Sequence, residues 1–226
     1  MSSKPQAEVE ISVSVSPDTV SLSRLEDPLT ITVTAKTISS SKPDFGIWIN
    51  VRWSALDNRG QGLFRGALVL RSVSDPEDII SFAPAVRVSY STAGFDPDLR
   101  KNEFEHFLLL PGVGEGELTS THEITGERIF QYSSIQPSDV SPDFEYRIEF
   151  TEKWLGVHWW TFEDEAEGKM FFEGIKSDED GMWGLRDDDP AFVAERYKEG
   201  YIYSNNLRDF KYIVKEDPPA TITFVE

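Results

Sequence analysis

Hydrophobic and polar positions alternate with a period of two through most of the chain. Val9, Ile11, Val13 and Val15 alternate with Glu10, Ser12 and Ser14, and Leu29, Ile31, Val33 and Ala35 alternate with threonines. The same period runs through Ile47, Ile49, Val51 and Trp53, through Val86, Val88 and Tyr90, and through Phe210, Tyr212 and Val214. It is clearest at Phe144, Tyr146, Ile148 and Phe150, which alternate with Glu145, Arg147 and Glu149. A period of two predicts strands with one face in the core. Shorter runs at 20–22, 68–70, 79–82, 107–110, 118–124, 128–132 and 222–225 predict further strands. Turn chemistry separates them: Ser16-Pro17-Asp18, the polar stretch 39–44, the segment 57–66 and the loop 91–102. Up to residue 150 this gives roughly eight short strands and no helix, the pattern of an antiparallel sandwich. Each strand hides one face, so two sheets must stack to bury both. Trp53, on an apolar strand face, is expected in the core.

The texture changes after Phe150. Four of the six tryptophans, Trp154, Trp159, Trp160 and Trp183, fall here among acidic clusters at 163–165, 178–180 and 187–189. One helix is predicted at about 189–199: Asp189 caps, Pro190 suits the first turn, Phe192, Val193, Arg196 and Tyr197 share a face, and Gly200 ends it. Residues 1–7 read as a flexible tail, and 8–226 as one domain with an irregular excursion over 151–206.

The corner Val140-Ser141-Pro142-Asp143-Phe144-Glu145-Tyr146 resembles the tyrosine corner of fibronectin type III and related immunoglobulin-like domains. The shared pattern is an aliphatic residue, a proline two later and a tyrosine six later. The resemblance implies an all-β, immunoglobulin or fibronectin III-like sandwich in which the Tyr146 hydroxyl bonds to the backbone of the turn beside Pro142. Asp143 stands where that family usually has glycine. More loosely, Ser16-Pro17-Asp18-Thr19-Val20-Ser21-Leu22, Leu110-Pro111-Gly112 and the stretch 155–162 look like uncharacterised intracellular proteins of filamentous fungi, which implies no known activity.

Charge narrows the partners. The formal net charge is −18, which repels phosphate backbones and anionic lipid, so neither nucleic acid nor a membrane is expected. The chain has no cysteine, which excludes disulfides, thiolate metal sites and cysteine nucleophiles. With no leader-like apolar run at the start, a cytoplasmic location is expected.

Candidate chemistry is sparse. The glycines of Pro111-Gly112-Val113-Gly114-Glu115-Gly116 lack the lysine and hydroxyl of a phosphate loop and predict a mobile hairpin tip. His122 lies among Ser120, Thr121 and Glu123, but neighbours on a strand point to opposite faces, which argues against a triad. His106 beside Glu103 and Glu105, and His158, carry no metal-ligand spacing. The acidic loops at 178–180 and 187–189 could supply oxygen ligands to calcium, although the EF-hand template fails at Lys176. No cofactor is expected.

The reading that fits best is a binding module for an unknown protein or small ligand, with Trp154, Trp159, Trp160 and Trp183 as its contact surface. One of the adjacent pair Trp159 and Trp160 must leave the core-facing side of a strand, which predicts an exposed aromatic patch. The alternatives are a small-ligand protein or an enzyme, of carbohydrate or cyclase/isomerase type, with a pocket near Trp159, Trp160 and the acids Glu163, Asp164 and Glu165, or a calcium-stabilised sandwich.

Overall fold

A computed structural model describes residues 4–59, 61–82, 106–151, 157, 159–166, 169–170, 175–177, 183–185, 194–195, 198, 201–202 and 204–226. The chain is mostly β. The first sheet is built on β1 (Ala7–Ser16), β3 (Pro28–Ser40), β8 (Leu118–Thr125) and β15 (Phe210–Val214), in the order β15-β1-β3-β8. The second contains β2 (Thr19–Ser21), β5 (Leu68–Ser72), β6 (Ile79–Ser81), β9 (Glu145–Phe150) and β16 (Thr221–Val225), in the order β2-β16-β9-β5-β6. A third, smaller sheet sets β4 (Ile47–Asn50) between β10 (Trp159–Phe162) and β7 (Phe107–Leu110).

The period of two decides which residues enter the core. Val9, Ile11, Ile31 and Val33 of the first sheet, Leu68, Leu70, Tyr146, Ile148 and Phe224 of the second, and Ile47, Ile49, Trp160 and Phe162 of the third form one buried cluster. Burial of each such side chain contributes roughly 1.5–3 kcal/mol, so this alternation is the main source of stability.

Pairing departs from the purely antiparallel expectation. β1 runs parallel to β15, with Val9 opposite Tyr212, and β2 runs parallel to β16, with Val20 opposite Phe224. These two pairs join the start of the chain to its end. At Ser16-Pro17-Asp18 the chain crosses between the sheets, and the Thr223 amide donates to the Asp18 carbonyl at 2.8 Å as β2 begins. A local pattern cannot show this, because the partners lie some two hundred residues apart.

The chain turns before β9, but the hydroxyl-to-backbone bond expected of a tyrosine corner is not made. Asp143 has a φ of 67°, a left-handed conformation that aspartate tolerates better than most residues, so it fills a position suited to glycine. Its amide donates to the Phe224 carbonyl at 2.7 Å. Tyr146 is buried, edge-on to Phe224. Its hydroxyl donates to Asp78 Oδ2 at 2.6 Å and not to the turn beside Pro142, which corrects the expected bond. A carboxylate is the stronger acceptor, and the turn before β6 delivers one. Burial, together with Asp78, pushes the phenol above its ordinary range.

Three further expectations change. The predicted strand 128–132 is instead the short helix α2 (Gly126–Phe130), because Ile129 and Phe130 both face inward, as neighbours on a strand do not. The turn-rich segment 57–66 contains another helical turn, α1 (Gln61–Phe64). The glycine loop 111–116 is not a hairpin tip, since β7 and β8 belong to different sheets. It is pinned: Thr37 Oγ1 donates to the Pro111 carbonyl at 2.7 Å and the Val113 amide to the Pro43 carbonyl at 2.9 Å. A Cβ at Gly112 would lie 2.8 Å from the Pro43 carbonyl, so this strap needs glycine.

Of the predicted helix at 189–199, the described residues Ala194, Glu195 and Lys198 are helical; the rest lies outside the described residues, as do the acidic loops 178–180 and 187–189 and the run 86–90. Among the described residues no helix is long and apolar enough to cross a membrane.

Candidate functional site

The tryptophan pair is buried. Trp160 packs edge-on to Phe162 at 5.5 Å between ring centroids and against Phe210 at 5.6 Å, and its Nε1 donates to the Asn206 carbonyl at 3.1 Å. Trp159, on the opposite face of β10, meets Phe107 edge-on at 5.4 Å and joins Ala166 and the partly buried Trp48 in a second small cluster. The expected exposed patch is therefore not formed by Trp159 and Trp160, which are 1% and 0% exposed. The alternation argument assumed a wet face on β10; here the main core covers one face and the second cluster the other. Trp154 lies outside the described residues, and for Trp183 only the backbone of β13 (Trp183–Leu185) is described, paired with β12 (Ile175–Ser177).

The acids beside the pair do not form a buried catalytic couple. Glu163, Asp164 and Glu165 occupy an exposed 3-10 turn, and Lys42 Nζ bridges Asp164 Oδ2 and Glu165 Oε1 at 2.7 Å each.

The structure instead concentrates buried polar chemistry in the loop 51–57 that follows β4. The alternating run does not continue to Trp53. Asn50 Oδ1 accepts from the Arg52 amide at 3.0 Å, the Ser54 amide donates to the Val51 carbonyl at 2.8 Å, and the chain turns. Trp53 has a φ of 66°, an outlier for a bulky residue. It is nonetheless buried as expected, 8% exposed, although it belongs to neither of the two buried clusters. The Arg52 and Arg65 guanidinia cover its ring, 4.7 and 4.8 Å from the centroid.

The strained backbone is held from several sides. Asp57 Oδ2 accepts from the Trp53 amide at 2.9 Å, and Oδ1 accepts from the Arg59 amide at 3.3 Å. Ser120 Oγ donates to the Leu56 carbonyl at 2.7 Å, and His122 Nε2 donates to the Ala55 carbonyl at 2.8 Å. Both side chains come from β8, where Ser120 and His122 face inward and Thr119, Thr121 and Glu123 outward, as strand geometry requires. The Val51 amide donates to the His106 carbonyl at 2.9 Å. Gly62 closes the far side: a Cβ there would lie 1.9 Å from the Ser54 carbonyl.

The loop's electrostatics centre on Asp57, whose side chain is 1% exposed. Burial alone would raise its pKa. The His106 imidazole, with Nδ1 3.7 Å from Oδ1, and the Trp53 and Arg59 amides outweigh burial and hold the carboxyl below the ordinary range. For His122 burial dominates over the Ala55 carbonyl and Asp57, and lowers its pKa. Since Nε2 carries the hydrogen, Nδ1 is a buried acceptor without a partner.

A carboxylate beside a histidine is part of a nucleophilic site, which also needs a hydroxyl or thiol. The chain has no thiol, and the two buried hydroxyls here, one from the loop and one from β8, are engaged: Ser54 Oγ accepts from the Leu56 amide, and Ser120 donates to the Leu56 carbonyl. Among the described residues no group of three or more His, Asp or Glu is placed to hold a metal ion. Glu103, Glu105 and His158 lie outside the described residues. The arrangement holds a buried indole under two half-buried guanidinia, one from the turn and one from beyond α1.

Sequence reasoning missed this loop because its pieces are dispersed. Asp57, His106 and His122 meet only through the pairing of β4 with β7 and the approach of β8. The available signals were the polar Asn50 inside an apolar run and the turn chemistry of Asp57-Asn58. No protein-family model and no curated protein sequence matches the chain.

Proposed function

We propose that the chain is a binding module, an immunoglobulin or fibronectin III-like sandwich whose contact surface is formed by the half-buried Arg52 and Arg65 over the buried, strained loop 51–57. The observation that carries this reading is the positive φ of Trp53, kept in place by a buried carboxylate and by two side chains from β8. Backbone strain of this kind costs on the order of 1–3 kcal/mol and persists where the surroundings over-determine it, most often at recognition and catalytic sites. Arginine and tryptophan are also the residues that most often dominate interfaces. The sandwich architecture is supported by the two larger sheets sharing one buried cluster.

The test uses the full chain immobilised as bait, with Arg52→Glu and Arg65→Glu combined in one variant. Binders retained by the wild type should be lost by the variant while its melting midpoint stays within about 3 °C, a shift smaller than roughly 1 kcal/mol. Equal retention by both would remove the loop as the contact surface.

A further inference from the structure

We propose that the outer edge of β8 is a second contact surface, which takes a basic, extended segment of another protein as an added strand. This goes beyond the surface at Arg52 and Arg65 and does not depend on it. β8 is the last strand of the first sheet, and among the described residues its backbone is hydrogen-bonded only to β3. In an antiparallel pair every second residue bonds to its neighbour, and the residues between turn their N–H and C=O groups away. β8 therefore presents a row of unpaired donors and acceptors, a template for a further strand.

Other edges are blunted. β2 and β6 have three residues each. β15 carries Lys211 and runs into Lys215. β10 is covered where the Asn205 amide donates to the Trp160 carbonyl at 2.8 Å. β8 runs for eight residues with no lysine, no proline and no break in register, from Thr125 opposite Pro28 to Leu118 opposite Ala35. It is also held in advance: β3 backs its whole length, and Ser120 and His122 tie it to the loop 51–57. A preformed edge lowers the ordering cost of binding. Charge then selects the partner. Residues 115–127 contain Glu115, Glu117, Glu123 and Glu127 and no lysine or arginine, and all four acids are exposed. Thr119, Thr121 and Glu123 form the outward face of β8. Lysine or arginine on an added strand would stand opposite Glu123, and opposite charges across strands stabilise the pair. A second copy of the chain would bring the same four glutamates and a formal net charge of −18.

The experiment titrates the isotopically labelled full chain with a capped peptide of alternating lysine and threonine, about as long as β8, and reads amide shifts and hydrogen exchange. Saturable shifts centred on residues 118–125 are expected, with exchange slowed at every second residue of β8, since only the outward amides gain a partner. The same peptide with glutamate for lysine should not bind. Nor should one of alternating lysine and proline, which keeps the charge and cannot continue the ladder. Affinity should fall about tenfold or more in combined Glu117→Lys and Glu123→Lys. It should hold in combined Glu77→Lys and Glu145→Lys, the same change of charge at exposed positions beside the second sheet. Glu117→Gln with Glu123→Gln decides the matter if the lysine variant does not fold. Shifts without protection at every second residue, or an equal loss in both lysine variants, leave only attraction to an acidic chain and overturn the proposal. Protection of β8 that rises with protein concentration and needs no peptide makes a second copy the occupant and overturns it as well.

Discussion

Removing the Asp57 carboxylate tests whether the loop is held as described. In Asp57→Ala the Trp53 amide loses its acceptor at 2.9 Å and the Arg59 amide its acceptor at 3.3 Å. A buried donor left without a partner costs about 1–3 kcal/mol, and bonds to a charged acceptor lie at the upper end of the range for hydrogen bonds. The Arg59 amide can turn to water, since that residue is exposed; the Trp53 amide cannot do so without the chain leaving its left-handed conformation. Leaving it recovers part of the roughly 1–3 kcal/mol of strain but displaces the indole from under two guanidinia. The net expectation is a loss of about 2–4 kcal/mol. Asp57→Asn keeps one oxygen for the Trp53 amide and loses only the charge beside His106, so about 1 kcal/mol is expected there. Urea unfolding at pH 7 measures both. With a slope of about 2 kcal/mol per molar, the alanine variant should shift the midpoint by roughly 1–2 M and the asparagine variant by under 1 M. Amide exchange at Trp53 should quicken in the alanine variant alone. If both variants unfold within about 0.5 kcal/mol of the wild type, Asp57 does not hold the loop, and the strain at Trp53 needs another explanation.

Acid should weaken the fold through His122 before it does so through the carboxylates. The unfolded chain takes up this proton near the ordinary value of 6.5, while the buried imidazole resists it. The unfolded state then binds more protons, so stability falls as pH drops from about 6.5 through the depressed folded value; His122→Gln should remove this part of the slope in denaturation measured across that window. Asp57 adds stability that is present above its ordinary value of 3.8 and is lost as pH falls through its lowered folded value, a second step that Asp57→Asn should erase. Tyr146→Phe should cost about 1–3 kcal/mol by thermal or urea melting, because it strands Asp78 Oδ2 beside an Oδ1 that is already buried without a partner. Trp160→Ala should cost about 3–5 kcal/mol, and a variant that melted like the wild type would show that this indole does not pack as described.

The strands were legible because burial selects alternate residues wherever one face is wet. Reading β1, β3 and β9 required only local periodicity, and the corner at Pro142 only the stereochemistry of proline and the residue before it. Where a second rule operated, the reading went astray. β10 carries Trp159 and Trp160 on opposite faces and buries both, because the second cluster around Phe107 and Ala166 roofs the face that periodicity leaves wet. Trp53 is buried as the alternation implied, but from a turn three residues past the end of β4 and not from the strand, since the bend is imposed by Asp57 four positions later and by β8 from another sheet. Parallel pairing of the chain's two ends was invisible for the same reason: it is a fact about distance in space between segments that share no local pattern.

The candidate site follows from the same division. An apolar strand specifies its own position, because a one-residue slip exposes its whole inward face. A polar turn specifies nothing alone; it takes the shape that surrounding acceptors and donors permit. Residues 51–57 became rigid because Ser120 and His122 are the two polar side chains that β8 turns inward between Leu118 and Ile124. On an ordinary sheet such residues would be a defect, each burying a polar group that then needs a partner. Here each finds a main-chain carbonyl of the loop. The cost of placing them in the interior is what fixes the loop, and the loop in turn holds Trp53 against its conformational preference. Two inward polar residues on β8 and one outlier dihedral 67 residues before the first of them thus belong to one arrangement. Replacing Ser120 and His122 together by apolar residues should therefore stabilise β8 locally while releasing Trp53 from its left-handed conformation.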